Sequence, residues 1–400
     1  MHSSQVVKPN LLIILSRFPF PLEKGDKLRA YHQIVGLSLK FNITLISLTE
    51  HKIPLEYQKA LQPYCHKIHV LKLNKVLQII NLTLCLLTEK PFQIAYFWQF
   101  HIQRKVNRII NTLNPDFIYS QLIRTTDYVK NYHACPKIVD YMDAFSKGIE
   151  RRIPDQKWYS KFFFKQEYIR LKNYERHIFE YFEEHIIISE QDRNYIFHNK
   201  SNEISIVKNG ISKHFFKERT NTVKKYDLIF TGNMSYPPNI AAANYIVKKV
   251  LPLFNTEVKF LISGVNPHHS VRKLASASIE ITGWVEDITE SYVKSKIFIA
   301  PMFLGTGLQN KLLEAMALGI PCVTTTMANT ALGAIPEESI LIANNEFEFK
   351  YQIDRLLTDN FLYENIQKNA LTFVQNHFSW DLLNEQLSEL IVKSRNKILV

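Results

Sequence analysis

Cysteine is scarce in this chain of 400 residues. The four cysteines, Cys65, Cys85, Cys135 and Cys322, are scattered, and none belongs to a C-x-x-C pair. Disulfide frameworks and cysteine-based metal sites are recognised by closer, regular spacings, so the sequence supports neither. A cytoplasmic, reducing compartment is therefore expected.

Long apolar runs are missing as well. The longest, 76-VLQIINLTLCLL-87, is too short and too polar to cross a bilayer. We expect no cleavable signal peptide, because 11-LLIIL-15 is short and Arg17 follows it instead of a small-residue cleavage site. A hydrophobic content of 46% and a charged content of 22% are typical of a globular protein. This length predicts two domains, each with its own core.

The net charge of +12 is not concentrated in any long run of Lys or Arg. No recognisable nucleic-acid-binding module is present either, so we expect no nucleic-acid partner. Anionic substrates or an anionic membrane surface account equally well for the charge.

Short β-rich runs alternate with longer helical stretches along the chain. Seven candidate strands lie between 11-LLIIL-15 and 204-ISIVK-208, and six more lie between 227-DLIFTG-232 and 339-SILIA-343. This alternation predicts an α/β fold with two Rossmann-like, doubly wound domains, because parallel strands need helical crossovers on both faces. The polar stretch from Ser212 to Lys225 is the predicted linker.

The segment 304-LGTGLQNKLLEAMALGIPCVTTT-326 carries the strongest chemical signal. A strand leads into the turn Gly305-Thr306-Gly307, and a helix follows. Glycines let the backbone approach a ligand, and a helix start offers free N–H donors and partial positive charge. Such a turn favours phosphate or pyrophosphate. Lys311 and Glu314 share one helix face, where Lys311 can meet phosphate and Glu314 can accept hydrogen bonds from sugar hydroxyls.

Two common phosphate motifs do not fit this segment. Asn310 replaces the third glycine of G-x-G-x-x-G, and Leu312 follows Lys311 where a P-loop needs Ser or Thr. The structural alternative is an ordinary strand–turn–helix unit in which Glu314 is solvated and Leu312, Leu313 and Met316 pack in the core.

The segment resembles the donor-binding signature of glycosyltransferase family 4, retaining enzymes of the GT-B fold. That signature reads E-A-M-A-x-G-x-P-V-V after a Gly-rich turn, and the stretch from Glu314 to Val323 matches it except at Cys322. The resemblance implies that Glu314 holds the ribose of a nucleotide-sugar and that the turn from Gly305 through Thr306 and Gly307 to Leu308 lines the donor site. Many members have an acidic residue where Thr306 stands.

The stretch 229-IFTGNMSYPPNIAAANYI-246 resembles an F-x-G-x-M-x-x-x-P-N segment of a bacterial exopolysaccharide subgroup. Gly232 and Asn233 form the first strand–helix turn of the second domain and are predicted to bind the donor. Most family members grip the diphosphate with Arg and Lys after this strand. Neither occurs between Gly232 and Ala243, so Lys311 is the leading substitute.

Two loops of the first domain also resemble the family. In 16-SRFPFPLEKGDKLRAYHQI-34 the resemblance implies that Gly25 lets the loop approach the sugar-phosphate, in a region made basic by Arg17 and its neighbours. In 207-VKNGIS-212 the pair Asn209-Gly210 favours a left-handed turn at the hinge. A surface loop and a purely structural turn are the respective alternatives.

The stretch 138-IVDYMDAFSKG-148 offers the candidate catalytic carboxylates, Asp140 and Asp143, at the end of a strand. Many family members place a catalytically important His or Asp here. Such a carboxylate could orient the acceptor or stabilise positive charge at the anomeric carbon. Alternatively Asp143 caps the next helix. Because D-x-x-D differs from the D-x-D metal motif of the other large glycosyltransferase fold, we expect no catalytic metal and no cofactor.

One aromatic and basic stretch, 157-KWYSKFFFKQEYIRLKNYERHIF-179, has no chemistry that the sequence reveals. It is either a helix packed on the first domain or an interfacial helix that touches lipid headgroups.

The resemblance implies two Rossmann-like domains facing across a cleft, 1–215 on the acceptor side and 216–379 for the nucleotide-sugar, with a terminal helix, 380–400, packed back on the first. It implies transfer of a hexose from a nucleotide-diphosphate sugar to a glycan or lipid-linked acceptor in surface-polysaccharide assembly, with the cytoplasmic membrane face as a candidate partner. A nucleotide-sugar 2-epimerase or phosphorylase of the same fold and a non-catalytic scaffold remain the alternatives.

Overall fold

The computed structural model describes residues 8–154, 156–216, 222–303 and 308–397. The chain forms two compact units. The N-unit comprises Met1–Asn209 and Trp380–Val400, and the C-unit comprises Gly210–Ser379. The first crossing between the units therefore falls between Asn209 and Gly210, slightly before the boundary at 215 that the sequence predicts.

The N-unit is built on a parallel seven-stranded sheet with the strand order β3-β2-β1-β4-β5-β6-β7. Its strands are β1 (Asn10–Leu15), β2 (Asn42–Thr49), β3 (Lys67–Lys72), β4 (Phe117–Gln121), β5 (Lys137–Met142), β6 (Glu184–Ile187) and β7 (Ser205–Ile206). The helices between them are α1 (Gly25–Leu37), α2 (Leu55–Lys59), α3 (Lys75–Cys85), α4 (Phe92–Phe97), α5 (Phe100–Leu113), α6 (Phe145–Glu150), α7 (Trp158–Ile178) and α8 (Glu190–Arg193).

Helices cover both faces of this sheet, and the strands are apolar on both sides as a result. In β1, Leu12 and Ile14 pack into one core, whereas Leu11, Ile13 and Leu15 pack into the other. Alternate residues of a strand point to opposite faces, so one continuous apolar run supplies two cores.

The C-unit repeats this architecture with a parallel six-stranded sheet of order β10-β9-β8-β11-β12-β13. Its strands are β8 (Tyr226–Thr231), β9 (Phe260–Ser263), β10 (Ile279–Gly283), β11 (Ser295–Ala300), β12 (Cys322–Thr324) and β13 (Leu341–Ile342). Its helices are α9 (Pro237–Tyr245), α10 (His269–Arg272), α11 (Ile288–Val293), α12 (Asn310–Ala317), α13 (Thr326–Leu332), α14 (Glu346–Thr358) and α15 (Asn360–Phe378). The strand order reverses between β8 and β11, where open α/β sheets bind ligands beyond the carboxyl ends of the strands.

The last helix, α16 (Trp380–Lys393), belongs to the N-unit, which confirms the predicted return of the chain. Trp380 stacks on His32 of α1 with ring centroids 4.8 Å apart. Gly36 allows the close approach of the two helices, because a Cβ at this position would lie 2.1 Å from Nδ2 of Asn384. Among the described residues, no helix is both long and apolar enough to span a membrane.

We predict that Gly36→Ala lowers the free energy of unfolding by about 1–3 kcal/mol, because the added methyl group displaces Asn384 and with it α16. Urea denaturation followed by circular dichroism measures the change. Gly148→Ala in α6 is the matched control, since a Cβ there meets nothing within 4 Å. Helix propensity alone makes that change stabilising by up to about 1 kcal/mol. An equal gain in both variants would show that α16 does not pack this tightly on α1.

Candidate functional site

A pocket of about 400 Å³ opens at the carboxyl ends of β8 and β9, beside the amino end of α12. This volume is within the range of small-molecule sites, and the position is the reversal point of the C-unit sheet. The pocket is lined by Thr231, Gly232, Asn233, Asn239, Gly264, Val265, Trp284, Val285, Ile288, Asn310, Lys311 and Glu314. It thus brings together four predicted donor-site residues, Gly232, Asn233, Lys311 and Glu314.

Two glycines form one wall of the pocket, and the backbone requires both. Gly232 and Gly264 have φ angles of +148° and +146°, which L side chains rarely adopt. A Cβ on Gly264 would lie 1.8 Å from the carbonyl oxygen of Gly232, and one on Gly232 would lie 2.7 Å from Nδ2 of Asn239. Bare backbone at the ends of both strands therefore lines the pocket.

Lys311 lies in the first turn of α12, and its ammonium group points into this wall. Nζ donates a hydrogen bond to Oδ1 of Asn239 at 2.6 Å and lies 4.6 Å from the centroid of the Phe230 ring. Burial lowers the pKa of Lys311 to about 8, and the nearby charge of Glu314 offsets only part of that effect. A bound anion would favour the charged form, so the site is suited to a phosphate group.

Glu314 lies one helical turn further along α12, on the same face. The Tyr292 hydroxyl donates to Oε2 of Glu314 at 2.9 Å, while no described residue hydrogen-bonds to Oε1. Burial raises the pKa of Glu314 to about 7. Glu314 is half-buried in the pocket and so differs from the fully solvated residue of the structural alternative, whereas Leu312, Leu313 and Met316 do pack in the core as that alternative has it. An acceptor oxygen inside a pocket is what a sugar hydroxyl needs.

The remaining predicted donor residues differ in what can be said of them. Gly305, Thr306 and Gly307 lie outside the described residues, and Leu308 is half-buried just before α12. Asn233 uses its side chain locally, since Oδ1 accepts hydrogen bonds from the backbone N and the hydroxyl of Ser235 at 3.0 and 2.8 Å.

Two residues in or next to the pocket were not predicted from the sequence as site residues. Asn239 holds Lys311 and also donates to the carbonyl oxygen of Asn233 at 2.9 Å. Its position in the segment Pro237-Pro238-Asn239 is the sequence feature that could have identified it. Tyr292 orients Glu314 from α11, and no local sequence pattern identifies it because the contact joins residues 22 positions apart.

In the N-unit, Asp140 lies within β5 and is fully buried, which differs from the predicted position at the strand end. Its Oδ2 accepts hydrogen bonds from Nε of Arg29 at 2.7 Å and from the Tyr119 hydroxyl at 2.6 Å, and its Oδ1 accepts one from the backbone N of Met142 at 2.9 Å. The strong acceptor capacity of this carboxylate is thus used inside the protein, and the geometry is that of a structural ion pair.

Asp143 is the member of the pair that reaches the surface. Met142 ends β5 with a φ of +62°, a sparsely populated conformation for a residue with a side chain, and Asp143 follows it with an exposed side chain. Its side chain makes no hydrogen bond to any other described residue. The alternative of a helix cap is wrong, because Ala144 occupies the N-cap position of α6.

The environment of Asp143 raises its pKa to about 6. Desolvation by the surrounding protein is the largest cause, followed by repulsion from Asp192. Exposure and desolvation are compatible here, since a side chain can touch water and still have much protein around it at longer range. Carboxylates with raised pKa values at strand ends are typical of functional sites.

Arg124 lies close enough to Asp143 for their charges to interact, and the charges of Arg17 and Asp26 act on Arg124 in turn. Arg17 pairs with Asp26 at 3.1 Å. Arg124 lies 4.7 Å from the centroid of the Phe145 ring, and burial together with the charge of Arg17 lowers its pKa to about 10. The sequence reading missed Arg124, which no motif marks. Gly25 begins α1, and a Cβ there would meet nothing within 4 Å, so packing does not explain the glycine.

The predicted hinge residues lie at the boundary between the units. Asn209 Oδ1 and the Lys208 carbonyl oxygen accept hydrogen bonds from Nη1 of Arg29 at 2.9 and 3.1 Å. The chain thus leaves the N-unit anchored to the buried Arg29–Asp140 pair, and Gly210 begins the C-unit.

Known proteins resemble both the C-unit and the whole chain. Residues 225–359 match the family described as "Glycosyl transferases group 1". The chain is 21% identical to an uncharacterized 44.6 kDa protein in the cps region of Klebsiella pneumoniae. The aligned part covers 92% of this chain and 96% of that protein.

Two solved structures resemble the fold of the whole chain. A glycosyltransferase from Rickettsia africae shares 14% identity and a TM-score of 0.68 over 97% of this chain and 98% of its own. The Anabaena protein HepE, solved in complex with UDP and glucose, shares 12% identity and a TM-score of 0.62 over 96% of this chain and 99% of its own. The two Rossmann-like units and these neighbours establish the predicted GT-B fold.

We predict that Glu314→Gln stabilises the protein increasingly as pH rises from 4.5 to 7. The pKa of Glu314 is raised on folding, so the wild-type protein loses stability as pH rises through this window, whereas the amide does not. The difference should reach on the order of 2–3 kcal/mol at pH 7.5. Urea denaturation at pH 5 and pH 7.5 measures it.

The matched control is Glu280→Gln, which changes a carboxyl whose pKa is lowered by hydrogen bonds from Tyr226 and Lys225. Its effect should have the opposite sign and lie below pH 4.5, where a carboxyl with a lowered pKa titrates, so the difference between variant and wild type should be nearly the same at pH 5 and pH 7.5. A pH-independent effect of Glu314→Gln would show that Glu314 is not held in a desolvated pocket.

Proposed function

We propose that this protein is a retaining glycosyltransferase of the family 4 type that transfers a hexose from a nucleotide-diphosphate sugar. The observation that carries the proposal is the pairing of Lys311 and Glu314 in one pocket, beneath the bare backbone of Gly232 and Gly264. Both side chains are desolvated, and neither is neutralised by a direct ion pair with a described residue. The pocket lies inside the matched residues 225–359.

The donor would use the pocket from two sides. The ammonium group of Lys311 binds the diphosphate, and the bare backbone of the glycine wall lets the phosphate oxygens approach closely. Oε1 of Glu314 accepts a hydrogen bond from a ribose hydroxyl while Tyr292 holds Oε2 in place. The turn Gly305-Thr306-Gly307 and Leu308 complete the phosphate side in this proposal, and the exposed Trp284 offers an aromatic face to the base.

The chemistry needs no strong general base. As the bond between the anomeric carbon and the diphosphate oxygen breaks, the acceptor oxygen bonds to the same face of that carbon, and the leaving phosphate takes the acceptor proton. Positive charge develops on the sugar ring in between. We assign Asp143 to stabilise that charge or to orient the acceptor hydroxyl, with Arg17 and Gly25 on the sugar-phosphate side of the N-unit. No metal or cofactor takes part in the proposal.

The acceptor that we propose is a glycan or a lipid-linked glycan of surface-polysaccharide assembly at the cytoplasmic face of the membrane. The relative encoded in a cps region of Klebsiella pneumoniae supports this context. So does the fold likeness to a lipopolysaccharide outer core galactosyltransferase, WaaB, at 12% identity and a TM-score of 0.61. A thermal-shift panel of nucleotide-sugars identifies the donor, because a bound ligand stabilises the fold by mass action. Turnover without acceptor would instead indicate an epimerase.

We predict that Lys311→Met weakens binding of the matching nucleoside diphosphate roughly 10- to 100-fold and leaves the nucleoside nearly unaffected. A charge-assisted hydrogen bond to phosphate is lost, while the aliphatic part of the side chain still covers Phe230. Isothermal titration calorimetry with the two ligands separates these effects. Glu314→Ala is the matched variant, and it should weaken both ligands by a similar factor because both carry the ribose. Equal losses of both ligands in Lys311→Met would refute the diphosphate role.

We predict that Asp143→Asn lowers kcat about 100-fold or more with little change in donor affinity, since its charge acts mainly in the transition state. Wild-type turnover should fall as pH drops through about 6, the pKa of Asp143, and the variant should lack this limb. Steady-state kinetics from pH 5 to 8 tests both points. Asp140→Asn should mainly destabilise the protein, by about 3 kcal/mol or more, because it leaves Arg29 buried without its counter-charge. A normal kcat in Asp143→Asn would contradict the role that we assign to Asp143.

A further inference from the structure

Helix α3 is amphipathic, but its polar side chains lie on the inner face and its apolar side chains on the outer face. Its buried residues are Gln78 and Cys85, and the half-buried Asn81 donates from Nδ2 to the carbonyl oxygens of Ala95 and Trp98. Its outer face is apolar instead, with Val76, Ile79, Ile80 and Leu84 all between 45% and 66% exposed and Leu87, just beyond the helix, 85% exposed. An exposed apolar patch of this kind marks a surface that interacts with a protein, a ligand or a membrane.

The amino end of α7 presents a second apolar surface. Trp158, Tyr159, Phe162 and Phe163 are between 51% and 85% exposed, although they are large and aromatic. Tyr and Trp, with an apolar body and a polar atom, are the side chains that prefer the boundary between lipid and water. Packing on the N-unit, one of the two readings of this stretch from the sequence, holds only for its later part, where Leu171, Tyr174 and Ile178 are buried.

These two surfaces are continuous. Ile79, Leu82, Thr83, Leu86, Phe92 and Phe163 line one shallow cavity of about 410 Å³. Nη1 of Arg170 on α7 donates to the carbonyl oxygens of Cys85 and Lys90 at 2.8 and 3.2 Å and so fixes α7 against the end of α3. We call the combined surface of α3 and the first turns of α7 the α3–α7 face.

Basic residues predominate around the α3–α7 face, although Glu89 and Glu167 lie at its margin. Lys157, Lys161 and Lys165 lie among the aromatic residues, and Arg151 and Arg152 precede them; none of the five forms an ion pair with a described residue. No acidic residue occurs in 156–166 or in 75–88. A second copy of this chain would place these cations against one another, so the face is poorly suited to self-association.

We propose that the α3–α7 face docks the protein on an anionic phospholipid bilayer. The aliphatic and aromatic side chains enter the interfacial region, and the lysines contact the phosphate headgroups. The connections place the face toward the carboxyl edge of the N-unit sheet. Helix α3 begins at that edge, just after β3. Helix α7 ends at the opposite edge, shortly before β6 begins, so its first turns point back toward the carboxyl edge. Asp143 follows β5 at this same edge. A lipid-linked acceptor held in the bilayer would therefore meet the acceptor-side unit from this edge. Docking itself does not depend on the proposed transferase activity.

Vesicle co-sedimentation of the full chain without any nucleotide-sugar tests the proposal. The wild-type protein should bind vesicles of equimolar phosphatidylglycerol and phosphatidylcholine at low salt, and pure phosphatidylcholine much more weakly. Ile80→Ser/Leu84→Ser and Trp158→Ser/Phe162→Ser should each reduce the partition coefficient at least about tenfold. Lys157→Glu/Lys165→Glu should abolish the preference for the anionic vesicles.

The matched control is Phe361→Ser/Lys368→Glu, which makes the same kinds of change at exposed positions of the C-unit and should bind like wild type. Thermal unfolding of every variant checks that the fold is intact, which substitution of exposed side chains should preserve. Vesicles with brominated acyl chains should quench the wild-type fluorescence, and Trp158→Phe should bind but lose that quenching.

Three results would overturn the proposal. One is the absence of wild-type binding to anionic vesicles at low salt. Another is unchanged binding by the α3–α7 variants. The last is a wild-type dimer in sedimentation equilibrium that these variants dissociate, because the face would then be an interface between copies. Because no donor is present, failure here leaves the nucleotide-binding experiments to decide the transferase proposal separately.

Discussion

The N-unit depends on one buried ion pair, Arg29 with Asp140. Both side chains are fully buried, and the carboxylate is shared by the guanidinium group of Arg29 and the hydroxyl of Tyr119. These contacts join α1, β4 and β5, and the other side of Arg29 holds Asn209 at the point where the chain leaves the unit. Neither charge could be removed alone, because the remaining one would be isolated from water. The pair therefore fixes the first helix, two central strands and the exit to the C-unit together.

The charged side chains of the C-unit pocket, unlike the buried pair of the N-unit, are not paired with each other. Lys311 and Glu314 are desolvated, yet among the described residues Lys311 has only a neutral amide as hydrogen-bond partner and Glu314 only a neutral hydroxyl. Their pKa values, about 8 and about 7, move toward each other because burial disfavours both charged forms. Folding gains little from such groups, whereas a ligand with a diphosphate and a ribose would satisfy both. This contrast separates the structural carboxylate Asp140, which is fully buried, from the candidate binding carboxylate Glu314, which lines a pocket.

Exposed side chains divide in the same way. Asp143 is held out of β5 by the unusual φ of Met142, and the apolar face of α3 is turned outward by the inward hydrogen bonds of Asn81. In each case the backbone places at the surface a side chain for which we propose a partner outside the protein. For Asp143 we propose the reacting sugar, and for α3 the lipid surface. The N-unit would then serve both the acceptor and the membrane on which a lipid-linked acceptor lies.

The sequence by itself determined the alternation of strands and helices, the parallel sheets and the motif glycines, because period, turn chemistry and composition are local properties. Gly232 shows this well, since a strand followed by Gly-Asn already indicates the turn that its φ requires. Tertiary structure alone decided which carboxylate is buried and which is exposed, because Arg29 and Asp140 are 111 positions apart and no spacing links them. It likewise revealed Tyr292, Asn239 and Arg124 as neighbours of the candidate sites. Burial and long-range hydrogen bonds set the pKa values and the available lone pairs, and these exist only once distant segments have packed together.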